Sequence, residues 1–153
     1  MNPGHPIGFW PIALLMFAAG IGIPIMAAFN AGVGQELQSP AAASATLFGV
    51  GLLAACLCLA FTGVPSGPQF AAVPAWRYAG ALLVLFYILT VTWAAPRIGV
   101  GNAIFFVLVG QLIAAAAIDH YGLWGAIQSS LTWRRAIGIG VMMIGIYLAR
   151  KTT

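Results

Sequence analysis

A few side chains in this sequence carry chemistry where their neighbours do not invite it. In the stretch FFVLVGQLIAAAAIDHYGLWG, residues 105–125, Gln111 stands in the middle of an apolar run that closes on Asp119-His120. A carboxylate beside an imidazole can hold a proton or a cation. Asn30 ends the run GIGIPIMAAFN, and Tyr87, with Thr90 one turn away, lies inside a third apolar run. Amides and phenols in such places either bond to another helix or meet a ligand. The only other acid, Glu36, reads as a solvated loop residue. No nucleophile stands at a recognisable spacing from Asp119-His120 and no metal-ligand cluster is visible, which disfavours an intramembrane enzyme. No phosphate-cradling glycine loop is present, so nucleotide-driven transport is not expected, and neither is any cofactor.

The elements that hold these groups follow from composition. The chain has 153 residues, 62% hydrophobic and 5% charged, against roughly 25% charged in soluble domains. A soluble protein of this kind would expose aggregating patches, whereas a bilayer rewards it. Uncharged runs predict five membrane helices, over about residues 8–29, 40–62, 74–95, 100–118 and 133–150. No alternation of polar and apolar residues argues for strands, and helices satisfy their own backbone in lipid. Ser39-Pro40 has the chemistry of a helix start. GVPSGPQF and PRIGVG read as turns. The fifth span is the shortest: residues 136–149 are free of charge, about 21 Å of helix at 1.5 Å per residue. Arg134 and Arg135 would snorkel from its start.

Several features fit this arrangement. Trp10, Trp76, Trp93 and Trp133 fall near span ends, where indole rings favour the headgroup layer. Pro24, with Gly20 and Gly22, is expected to break the first span, a pattern that points to transport sites. Ala136 with Gly140, and Gly145 with Ala149, are small-xxx-small pairs that allow close helix approach. Cys56 and Cys58 point to nearly opposite sides of a helix and cannot bridge each other. The start, MNPGHPIGFW, lacks a basic region, so a cleaved signal peptide is not expected. The net charge of +4 comes from scattered Lys and Arg, so nucleic acid is not an expected partner.

With five spans, Arg77, Arg134 and Arg135 fall on one side, and Arg97, Arg150 and Lys151 on the other. The positive-inside bias is therefore zero. The chain could insert both ways and pair as an antiparallel dimer, the inverted-repeat arrangement of many transporters. On α-helical geometry Asp119 lies about 80° around and 12 Å along from Gln111, so both could face one cavity. Each polar group also has a plain reading: Gln111 as helix glue, Asn30 as a helix C-cap, Tyr87 as a helix bridge, Asp119 as a solvated helix-end acid paired with His120 or an arginine.

The residues also resemble a family. PIMAAFNAGVGQELQSPAAASATLFGVG is similar to the first half of the five-span branch of the drug/metabolite transporter superfamily, the YdcZ-like inner-membrane exporters, at Pro24, Ala27, Asn30, Gly34, Ser39, Pro40, Phe48 and Gly51. The second half is similar at Pro96, Arg97, Gly99, Gly110, Gln111, Asp119, His120, Gly122 and Leu123, continuing through Arg135, Gly138 and Gly145. The resemblance covers nearly the whole chain. It implies a transporter of the bacterial plasma membrane, and one half of a ten-helix inverted-repeat assembly completed by a second copy or an oppositely oriented paralogue. Smaller four-span relatives carry an acid deep in the first span; this span has none, so their cation exchange does not transfer. The expectation is an all-α secondary transporter that moves a small molecule by alternating access. Gln111, Asn30 and Tyr87 would contact substrate, and Asp119 and His120 are coupling candidates. The rival is a non-transporting subunit that assists another membrane complex.

Overall fold

The computed structural model describes residues 8–149, and all regular elements among them are helical. Six α-helices follow in order: α1 (Phe9–Glu36), α2 (Pro40–Thr62), the short α3 (Gly67–Ala71), α4 (Gly80–Ile98), α5 (Val100–Tyr121) and α6 (Trp133–Ala149). Two 3-10 turns, Ala75–Ala79 and Leu123–Gly125, precede α4 and follow α5. Four segments are long and apolar enough to cross a membrane: α1, α2, Ala75–Ile98 and α5. These match the first four expected spans. The fifth, α6, has 17 residues among those described, about 25 Å of helix against a hydrocarbon core of about 30 Å. Arg150 and Lys151 lie outside the described residues.

The chain divides into two compact units, residues 1–96 and 97–153. In the first, α1 packs on α2, and the helix boundaries explain how. The expectation that α1 ends at Phe29-Asn30 is corrected: the helix runs unbroken through Pro24 and Asn30 to Glu36, which is its last residue and not a loop residue. Nothing in AGVGQE prevents continuation, because isolated glycines weaken a helix without ending it. The stop comes at Gln38, whose φ of 50° is left-handed. There the Ser39 N–H donates to the Gly34 carbonyl at 3.0 Å and the Gln38 N–H to the Gln35 carbonyl at 3.1 Å. This pair of bonds satisfies carbonyls that a helix end leaves open. Ser39 then starts α2: its Oγ accepts from the Ala42 N–H at 3.1 Å, with Pro40 at the first helical position. One short turn thus closes α1 and opens α2.

Close packing in this unit rests on small residues. Ala27, Asn30, Ala31 and Gly34 recur at helical spacing on α1 and are buried. Ala43 and Ser44 of α2 are fully buried. On α4 the buried stripe is Ile88, Val91, Thr92 and Ala95, again one face of a helix. Inside this seam the Asn30 Nδ2 donates to Thr92 Oγ1 at 2.6 Å. A Cβ placed on Gly34 would stand 2.8 Å from Thr92 Cγ2, so any larger residue there forces one of the two to shift. By contrast a Cβ on Gly20, Gly22, Gly138, Gly140 or Gly145 would meet nothing within 4 Å. Among the described residues, the glycines of the α6 small-xxx-small pairs therefore face open space.

In the second unit α5 packs on α6. Its first helix begins right after Gly99, whose φ is 86°. The expected PRIGVG turn shrinks to this one glycine, because Pro96, Arg97 and Ile98 complete the last turn of α4. At the other end α5 continues past residue 118 to Tyr121 and stops at Gly122, with φ 60°. Asp119 and His120 are therefore in the last turn of a helix.

The Gly34–Thr92 approach makes a test. Gly34→Ala should destabilise the protein by about 1–3 kcal/mol, the usual range for overpacking. In a Thr92→Ser background, which removes Cγ2 and keeps the hydroxyl, most of that loss should vanish. Thermal unfolding of the four proteins in detergent micelles measures both. Equal losses in the two backgrounds would show that the clash is not what Gly34 avoids.

Candidate functional site

The expected site residues fall into four settings. Asn30 is 5% exposed and lines a cavity of about 510 Å³ between α1 and α2, together with Met26, Phe29, Thr46 and Leu47. Its amide nitrogen is held by Thr92, so it is no helix cap. Its Oδ1 accepts no hydrogen bond among the described residues. The Thr46 hydroxyl, also on this cavity, is turned back on its own helix, 2.6 Å from the Ala42 carbonyl.

Tyr87 is half-buried on α4, and its hydroxyl is enclosed with no hydrogen-bond partner among the described residues. Thr90, one turn away, does not supply one: its hydroxyl donates to the Phe86 carbonyl at 2.6 Å. An enclosed phenol without a partner is costly in a dry setting.

Gln111 lies at the midpoint of α5, exposed and with no hydrogen bond among the described residues. In lipid this is the most expensive placement an amide can have. A cavity of about 440 Å³ between α5 and α6 is lined by His120, Tyr121, Leu131 and Ala136 among others. Neither Gln111 nor Asp119 is part of that lining.

Asp119 and His120 form a clasp. The Asp119 Oδ2 accepts from Arg135 Nη2 at 2.5 Å, with the two side chains 36% and 32% exposed. The same guanidinium donates through Nη1 to the Ser129 carbonyl at 3.3 Å. His120 does not pair with the acid. Its Nδ1 accepts the Leu131 N–H at 3.0 Å, which puts the neutral ring's proton on Nε2. The backbone joins in: the Asp119 carbonyl accepts from the Ser129 N–H at 2.8 Å and the His120 carbonyl from Gln128 Nε2 at 3.2 Å. These carbonyls end a helix and would otherwise lack partners. Thr132 completes the connection by capping α6, its Oγ1 accepting the Arg135 N–H at 3.3 Å.

The sequence reading had left open whether Asp119 meets His120 or an arginine; the partner is Arg135. Thr92, Thr46 and the Leu131 amide were not anticipated. A signal for Thr92 was present in the spacing 88, 91, 92, 95, which places a hydroxyl on the stripe that α4 buries. The clasp predicts that Asp119→Asn will speed amide exchange at Ser129 and Leu131 several-fold, since its partner Arg135 loses the charge it answers. Exchange in α1 and α2 should not change. Hydrogen exchange read by mass spectrometry checks this, and unaltered rates at 129–131 would show that the ion pair does not hold the connection.

Comparison with known proteins adds the class. The family model described as "Putative inner membrane exporter, YdcZ" matches residues 11–148. No curated protein and no solved structure matches the chain. The matched range contains Asn30, Tyr87, Gln111, Asp119 and His120 alike. Exporters are transporters rather than enzymes, and four helices of membrane-crossing length suit a multi-pass protein of the inner membrane. The chain belongs to the YdcZ family of inner-membrane exporters, and membrane transport is the activity this membership indicates.

Proposed function

We propose that the protein is a secondary transporter that moves a small molecule across the inner membrane by alternating access, working as a pair of oppositely inserted copies. The observation that carries the pairing is Gln111. Its amide is uncovered at the centre of an apolar helix, where lipid offers no hydrogen bond. A second copy offers one. A helix midpoint is also where a twofold axis in the membrane plane brings equivalent residues together. Two copies, each contributing four long helices and α6 as a fifth span, would make ten. Balanced Lys and Arg, three on each side of such a five-span chain, allow both insertions.

In this reading Gln111 turns its amide to the second copy, and Tyr87 and Asn30 are substrate contacts from α4 and α1. Asp119 and His120 close the α5–α6 connection on one face of the crevice between copies. Because Asp119 is tied to Arg135 and His120 to Leu131, coupling would work by opening and closing this clasp and not by a free acid. Rocking of one copy against the other then exposes the crevice to each side in turn.

Two measurements test this. Vesicles reconstituted with the purified protein and loaded with a mixture of metabolites and drugs should lose at least one compound faster than protein-free vesicles. Gln111→Ala should abolish that loss without lowering the unfolding temperature. Vesicles that behave as empty ones would favour a subunit that assists another complex. Separately, two lysines appended after Thr153 should bias insertion to one orientation, read by a reporter fused to the C-terminus. A reporter distribution that the lysines do not alter would remove dual insertion.

A further inference from the structure

We infer that the α1–α2 groove binds a neutral, largely apolar small molecule carrying one hydrogen-bond donor, which Asn30 Oδ1 accepts. This names the substrate class for the transport reading above and rests on it only for the idea that the bound molecule moves.

Size comes first. The cavity of about 510 Å³ lies in the roughly 300–1,000 Å³ range of small-molecule sites. The chemistry of its wall is more selective. No ionisable side chain lines it, so a charged ligand would leave water without meeting an opposite charge. The body of the wall is aliphatic and aromatic, with Met26 and Phe29 offering polarisable surface. Only two polar side chains reach it, Asn30 and Thr46. Thr46 has already given its proton to the Ala42 carbonyl.

Asn30 is different. It is 95% removed from solvent exposure, being 5% exposed. Its nitrogen is committed to Thr92 at 2.6 Å, which fixes the amide plane. The carbonyl oxygen is the pole left over, with no donor among the described residues. The oxygen itself is not enclosed, and in lipid an accessible acceptor finds no donor, so a ligand that donates to it relieves the deficit. An acyl chain of the surrounding lipid could fill the groove but has no proton to give. A hydroxyl-bearing aromatic or alicyclic molecule satisfies both parts of the wall at once.

The test uses the full chain in nanodiscs and three probes of nearly equal size: 2-naphthol, its methyl ether and naphthalene. Saturable binding is measured by equilibrium dialysis against protein-free discs. The naphthol should bind roughly five- to tenfold tighter than the ether or the hydrocarbon, the scale of one net hydrogen bond. Gly22 lines the same groove, and a Cβ there meets nothing within 4 Å. Gly22→Leu therefore fills the groove without touching the Asn30–Thr92 bond, and should weaken all three probes. Asn30→Leu should erase the preference for naphthol; if that variant fails to fold, the wild-type comparison and Gly22→Leu decide. Equal binding of naphthol and ether, or affinities untouched by Gly22→Leu, would overturn the assignment. Donor-selective binding in a protein that empties no vesicle would sink the transport reading alone and leave this site standing.

Discussion

One hydrogen bond orders the first unit, that between Asn30 and Thr92. In water an amide and a hydroxyl have many partners and such a bond contributes little. Inside a lipid-facing helix pair they have almost none, so separating them leaves both unsatisfied. The bond is only reachable because the residues around it are small. Ala27, Ala31 and Gly34 bring the α1 backbone close, Ala43 and Ser44 do the same from α2, and Thr92 faces them from α4. Close approach, a short bond and a buried residue are therefore one feature, with the amide held at its nitrogen.

The second unit solves a different problem. A helix that stops near the membrane surface leaves carbonyls without donors. Here the connection 122–132 folds back and supplies them through Ser129 and Gln128, while Arg135 and the Leu131 amide bond to the side chains of Asp119 and His120. Surface ion pairs by themselves contribute at most about 1 kcal/mol. Several bonds converging on one turn of α5 are worth more as a clasp than the pair alone, because each holds the geometry the others need. An acid and an imidazole that are neighbours in the sequence bond to two different parts of one connection.

Most large apolar side chains on these helices are exposed, Phe29, Leu53, Leu83 and Phe106 among them. That surface would be a defect in water and is the ordinary outer face of a protein in lipid. The informative exceptions are polar. Gln111 uncovered on α5 and the Tyr87 hydroxyl enclosed on α4 are polar groups that lipid cannot satisfy.

The helical type of the elements and the place of four long apolar helices were legible in the residues, since 20-residue uncharged runs have one stable form in a bilayer. The start of α2 at Ser39-Pro40 was legible too, because capping is local chemistry. The end of α1 was not. Asn30 has the composition of a helix cap, and only its burial against α4 reveals it as a tertiary contact. Gly34 stood in the sequence only as a position shared with the family, and the 2.8 Å approach of Thr92 gives it a physical reason. The pairing of Asp119 with Arg135 rather than His120 depended on how the 122–132 connection folds, which no spacing rule contains. Sequence by itself determined the solvent, the class of helix and the family, because those follow from composition and local pattern. Which polar group meets which was decided by tertiary structure, because a hydrogen bond depends on distances between helices and not on order along the chain.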